Sequence, residues 1–256
     1  MIDASTIFLR AQQAWVARAV PPYESFRIAC DRTFLNGRCN PGDTVAFTVR
    51  ASDGRTFAQT VPAAGGKPAV LLQGGFITGP AGTPLGFYRV LGGAPAALPP
   101  NLARDPLATI ATVTAYAHVY DVTLAGEERV DGRNCYRLAL RPQLDPDRFP
   151  LRELWVEESE YQIVQLTYER PYDERHTSAL VHYRFAPVGN PAVWTIVHID
   201  AQATIHDFLS TRVERVADDL DDISFPPGPP AWYFEPGAPA GMSRSGPGVT
   251  PGPKGG

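Results

Sequence analysis

Cys135-Tyr136-Arg137-Leu138-Ala139-Leu140-Arg141 is the stretch that decides the fold. Tyr136, Leu138 and Leu140 recur at every second position, with Arg137 and Arg141 falling on the opposite parity. A period of two marks a strand with one apolar and one wet face. The alternation returns in Leu151–Glu157, where Leu154 and Val156 oppose Glu153, Trp155 and Glu157. It returns in Gln162–Glu169, where Val164, Leu166 and Tyr168 oppose Gln165 and Thr167. In Ala179–Ala186, Val181, Tyr183 and Phe185 oppose His182 and Arg184.

Working outward, Asp131-Gly132 reads as a tight turn from a strand at Val113–Leu124 into Asn134–Arg141. Glu158–Tyr161 turns the next pair, and further strands follow at Val193–Thr204 and Arg212–Val216. Upstream, Ser25–Phe34 reads as a first strand ending at Asn36-Gly37. Val45, Phe47 and Val49 mark a second, which Asp53-Gly54 turns into Thr56–Val61. Connections this short make neighbours antiparallel, so the chain reads as a β-meander. The one convincing helix covers residues 4–20, with Phe8, Ala11 and Trp15 at helical spacing. Asp3 or Ser5 caps its start and Pro21-Pro22 stops it.

Residues 62–106 are rich in Gly, Pro and Ala, with strand-like pieces at Val70–Gln73 and Phe87–Leu91. A connection this long inside a compact domain is often functional. From Phe225 onward Pro and Gly dominate; Trp232, Tyr233 and Phe234 are expected to dock on the body, and 236–256 to be a disordered tail. The expected layout is one domain over 1–235, followed by that tail.

The apolar side of such a sheet needs a cover. A 17-residue helix is ~26 Å long. It cannot cover a meander of eight or more strands spaced ~4.8 Å apart. The sheet therefore curls around the helix or leaves an apolar cavity for something else. The alternative is a sheet that closes on itself with a packed interior.

Composition excludes several classes. The 256 residues carry 23 basic and 27 acidic side chains, a net charge of −4. With no basic run, this is not a nucleic-acid module or a polybasic membrane patch. No apolar stretch is long enough for a transmembrane helix. The N-terminus has no signal-peptide pattern, as in a cytoplasmic protein; a periplasmic or secreted chain whose signal has been removed reads the same way. Cys30, Cys39 and Cys135 lack zinc spacing. A Cys30–Cys39 bridge competes with the Asn36-Gly37 hairpin, which would hold the two ~13 Å apart. The plain reading of all three is as small buried apolar residues.

Chemistry-bearing patterns are weak. His198-x-Asp200 and His118-x-x-Asp121 resemble fragments of metal or hydrolase sites, but strand alternation produces such pairs by chance. His176, His182 and His206 add no pattern. Glu127-Glu128, Glu157-Glu158 and Asp218–Asp222 sit at turns or ends, where solvated charge is the ordinary explanation. No nucleophile-elbow, phosphate-loop or dinucleotide fingerprint occurs.

One resemblance covers residues 110–170. It is carried by Tyr120-Asp121-Val122, Gly126-Glu127-Glu128, Gly132-Arg133, Cys135-Tyr136-Arg137-Leu138, Leu140-Arg141-Pro142 and Leu151-Arg152-Glu153-Leu154-Trp155-Val156. This order of strand, Gly-containing turn, Pro-terminated strand and Leu-Trp-Val strand resembles the LolA/LolB-like group, periplasmic lipoprotein carriers and their relatives. The resemblance implies a mainly β fold with an N-terminal helix. Its strongly curved antiparallel sheet would be an unclosed barrel with helix in the concavity, holding acyl chains or other apolar ligands.

The reading that follows is non-enzymatic binding of a lipid or acylated, lipoprotein-type ligand in the concave face. Tyr136, Leu138, Leu140, Val156, Leu166, Tyr183 and Phe185 would line the pocket. No cofactor and no metal is implied. The alternative is an envelope sensor or scaffold domain that binds a protein partner through the 62–106 loop and the tail. An enzyme built on His118 with Asp121, or His198 with Asp200, is a third.

Overall fold

In the computed structural model Asp3 caps the helix α1 (Ala4–Ala17). Its carboxylate accepts from the Ser5 amide at 2.9 Å, satisfying a backbone donor that a helix start otherwise leaves bare, and from the Thr6 hydroxyl at 2.5 Å. The helix ends at Ala17, earlier than the Pro21-Pro22 stop suggests. Arg18 is already extended, with ψ 148°. Its guanidinium folds back to donate to the Trp15 carbonyl at 2.7 Å and lies 3.7 Å over the Trp15 ring. A side chain thus takes one of the carbonyls the last turn leaves open.

The structure describes residues 3–29, 42–50, 56–61, 71–72, 120–143, 151–170, 177–207 and 210–230. The Asn36-Gly37 and Asp53-Gly54 turns, Cys30 and Cys39, the Phe87–Leu91 piece, His118, His176 and the 236–256 tail lie outside them. So does most of 62–106.

The strands are β1 (Tyr23–Ala29), β2 (Thr44–Arg50), β3 (Thr56–Val61), β4 (Leu71–Leu72), β5 (Tyr120–Val130) and β6 (Arg133–Pro142). They continue with β7 (Leu151–Glu157), β8 (Ile163–Arg170), β9 (Thr177–Val188), β10 (Val193–Asp207), β11 (Ser210–Asp219) and β12 (Asp221–Ser224). Two sheets result. One has the order β12-β1-β2-β3-β4; the other, a seven-stranded meander, runs β11-β10-β9-β8-β7-β6-β5. The pairings are antiparallel. The chain passes from one sheet to the other at buried Leu220, whose amide donates to the Val197 carbonyl at 2.9 Å. Between β5 and β6, Asp131 (φ 47°) and Gly132 (φ 81°) both adopt the left-handed backbone of a type I′ turn.

The meander is strongly curved and does not close into a barrel. Arg133 at the start of β6 lies 5.2 Å over the Trp194 ring at the start of β10. In a flat sheet those strands would be ~19 Å apart. The curl brings Leu138, Leu154, Leu166, Tyr183 and Ile199 into one core with Ile7, Phe8, Ala11 and Trp15 of α1. Phe26 and Ile28 of β1 and Val45, Phe47 and Val49 of β2 belong to the same core. The cover over the apolar face is therefore α1 together with the first strands of the smaller sheet, where the strand arithmetic counted the helix alone.

One residue faces the other way from its expected side. Val164 joins Cys135 and Trp155 in a second buried cluster, and Ile163 takes its place in the main core. A bulge causes this: Trp155 pairs with Gln165 but Val156 with Ile163, so Val164 is the extra residue.

Candidate functional site

The concave face is built from strand register. Leu124, Leu138, Leu154, Leu166, Tyr183 and Ile199 oppose one another in turn from β5 to β10, making one unbroken apolar row. Beside it, Val122 opposes Leu140, Tyr136 opposes Val156, and Phe185 opposes Ile196. Six of the seven residues proposed to line a pocket, Leu138, Leu140, Val156, Leu166, Tyr183 and Phe185, are buried in this core. Tyr136 packs against its edge, half-buried. The structure thus brings the seven onto one face, already covered by the protein's own side chains.

Helix α1 lies over β5, β6 and β7. Phe8 meets Tyr120 edge to face, with ring centres 6.2 Å apart, and Trp15 meets Phe185 likewise at 5.3 Å. Such contacts add to plain area burial. At the rim, Arg10 donates to the Tyr161 hydroxyl at 2.7 Å and lies 4.9 Å from that ring. The buried stripe of the helix is Ile7, Phe8, Ala11, Gln12 and Trp15, apolar except for Gln12.

A polar junction lies where the helix ends. Glu24 points inward from β1, on the same parity as Phe26 and Ile28, and is 8% exposed. Its Oε1 accepts from the buried Thr195 hydroxyl of β10 at 2.7 Å. Burial pushes the Glu24 carboxyl up to about 7, against the opposing pull of the Thr195 hydrogen bond and the Arg18 charge. Burial likewise lowers Arg18 to about 10, with the Glu24 charge working the other way. The sequence reading missed this pair. The signal was present in Tyr23-Glu24-Ser25-Phe26-Arg27-Ile28, whose alternation puts Glu24 on the apolar file.

Of the two histidine pairs read from the sequence, only His198 with Asp200 falls wholly within the described residues. His198 Nδ1 lies 2.6 Å from Asp219 on β11, its register partner, rather than engaging Asp200. His182 Nδ1 lies 2.7 Å from the Thr167 hydroxyl of β8. Among the described residues no group of three or more His, Cys, Asp or Glu is placed to hold a metal ion. The acidic pairs are engaged locally. Glu128 accepts from the Trp155 indole and pairs with Arg137 at 3.9 Å. Glu157 accepts from the Ser159 and Glu160 amides at 3.0 and 2.8 Å. Burial raises its carboxyl, but these bonds outweigh it and hold the group below its ordinary value.

No family model matches the chain, and no curated protein matches it. Solved structures do. A DUF1329 family protein from Desulfovibrio piger is similar at 14% identity and a TM-score of 0.40, covering 91% of this chain and 95% of that one. A LolA superfamily protein from Nitrosomonas europaea is similar at 11% identity and a TM-score of 0.35, covering 92% and 99%. A domain ascribed to outer-membrane lipoprotein sorting, from Vibrio parahaemolyticus, is similar at 11% identity and a TM-score of 0.34, covering 90% and 95%.

Proposed function

We propose that this chain is a non-enzymatic binder of a lipid or acylated ligand, held between α1 and the inner face of the large sheet. The observation that carries the reading is the apolar row from Leu138 to Ile199, covered over β6 and β7 by a helix that belongs to neither sheet. Among the described residues that helix is the one element that can shift without breaking a strand ladder. Because the proposed lining residues Tyr136, Leu138, Leu140, Val156, Leu166, Tyr183 and Phe185 are already covered, a ligand gains access by lifting α1 and replacing contacts made by Phe8 and Trp15. Burying an acyl chain contributes ~0.8 kcal/mol per CH₂. A dozen or so methylenes therefore offset the loss of those helix contacts without polar chemistry. No helix among the described residues is long and apolar enough to cross a membrane. An envelope location accompanies the resemblance of residues 110–170; cell fractionation tests it.

The test is native mass spectrometry of the purified chain before and after organic extraction. Co-purified lipid released on extraction is the expected result and identifies the ligand class. A clean apo mass that also ignores added fatty acyl compounds overturns the reading. That outcome favours the second one, a domain that binds a protein partner. The observation behind it is β5, which lies at an edge of the sheet with Asp121, Thr123, Leu124, Ala125 and Glu127 through Arg129 exposed. An edge strand of this kind can accept a partner's strand.

A further inference from the structure

Gln12 is 3% exposed, on the stripe by which α1 faces the sheet, and among the described residues its Nε2 has no hydrogen-bond partner. A buried donor left unpaired is costly, and native structures rarely keep one without a reason. Leucine or methionine would fill the same volume at no such cost. Gln12 sits one helical turn from Phe8 and one from Trp15, between the Phe8–Tyr120 and Trp15–Phe185 contacts. Any chain that runs beneath α1 between those contacts passes its amide.

We infer that Gln12 is a specificity residue whose side-chain amide donates to an uncharged acyl carbonyl, selecting esters and amides of fatty acyl chains. The inference rests on the acyl-binding reading above and sharpens it. The amide is neutral, and a carboxylate brought to it would leave water without gaining a countercharge from Gln12, which is strongly unfavourable. Arg10 faces the Tyr161 hydroxyl and ring at the rim, and Arg18 faces Trp15 and the field of Glu24. A free fatty acid is therefore the poorer ligand, and an alkane lacks the acceptor altogether.

Competition against a fluorescent alkyl probe tests this on the full chain and on Gln12→Leu. The competitors are methyl laurate, N-methyl lauramide, laurate and dodecane. The wild type is expected to bind the ester and the amide about tenfold more tightly than dodecane or laurate, the scale of one buried hydrogen bond. Gln12→Leu is expected to lose that preference, to bind dodecane at least as well, and to melt at or above the wild-type temperature. The same ester preference in both proteins overturns the assignment of Gln12 while leaving acyl binding intact. Equal wild-type affinity for all four compounds does the same. A wild type that binds none of them overturns the acyl reading and this inference together.

Discussion

The Thr195 hydroxyl, on β10 of the seven-stranded sheet, donates to the carboxyl of Glu24, on β1 of the five-stranded sheet, at 2.7 Å. The bond joins the two sheets near the point where α1 ends and Arg18 turns extended. A carboxyl in the same file as Phe26 and Ile28 has little water around it, so its charge state is coupled to how tightly the sheets meet there.

That coupling predicts a pH dependence with a definite sign. Burial raises the folded carboxyl from 4.5 to about 7. Between those values the folded chain holds a proton that the unfolded chain has released. The contribution is therefore fully present below the unfolded value and is lost as pH rises to about 7. At about 1.4 kcal/mol per pH unit this amounts to roughly 3 kcal/mol. Urea titrations at several pH values, run on the wild type and on Glu24→Gln, isolate the effect because other groups cancel in the difference. The wild type should lose ground to the variant as pH rises from 5 to 8, and a difference that stays constant across that range would count against Glu24 as the cause.

Trp15 is the second point of leverage. It is 2% exposed, meets Phe185 edge to face and carries the Arg18 guanidinium on its ring. Trp15→Ala removes a large side chain from a core that cannot fully collapse, so a loss of about 3–5 kcal/mol is expected. Trp15→Phe keeps an edge-to-face partner for Phe185 and should lose well under half of that. Denaturant midpoints for the two variants check the order; equal midpoints would mean that α1 is not anchored through this ring.

Most of the fold was legible because alternation is a strong signal where one face of a sheet is buried. Leu138, Leu154, Leu166 and Tyr183 share a register row because each falls on the apolar parity of its strand. The failures have particular causes. Parity puts Val164 on the inner face because it counts residues and cannot see a bulge. Spacing puts the helix end too late because Arg18 closes it by bonding a carbonyl, a contact that spacing does not reveal. Strand arithmetic under-counts the cover of the core because β1 and β2 meet the large sheet through contacts remote in sequence. Glu24 was missed for the same reason: its parity was visible, but its partner Thr195 lies far along the chain. Gln12 lies beside Ala11 on the helical stripe, yet periodicity treats a lone polar residue there as noise.

Cys135 offers a probe of the β5–β6 hairpin. Its side chain is buried with Trp155 and Val164, and burial pushes the thiol up to about 11. Only thiolate reacts with maleimides, so labelling at neutral pH should be far slower than for a free thiol. The measurement belongs in a Cys30→Ser, Cys39→Ser background, so that one thiol reports. Urea at unfolding concentration should restore full reactivity. Rapid labelling without denaturant would show that the hairpin opens readily and that the Cys135–Trp155–Val164 cluster contributes little.

The turn that starts this hairpin separates backbone from side-chain effects. Gly132 has φ +81°, and a Cβ built there meets nothing within 4 Å. Gly132→Ala therefore creates no clash, and its whole cost is the left-handed backbone, about 1–2 kcal/mol. Asp131 also has positive φ, and its carboxylate lies 3.6 Å from Arg184 with both side chains well exposed. Exposed pairs of this kind contribute under about 1 kcal/mol. Asn tolerates left-handed backbone at least as well as Asp, and Asn-Gly is a preferred type I′ pair. Asp131→Asn should therefore be neutral within about 0.5 kcal/mol. Denaturation of both variants tests the turn assignment. A harmless Gly132→Ala would mean that the backbone there is not left-handed, and a costly Asp131→Asn would mean that the link to Arg184 helps hold the curl of the sheet.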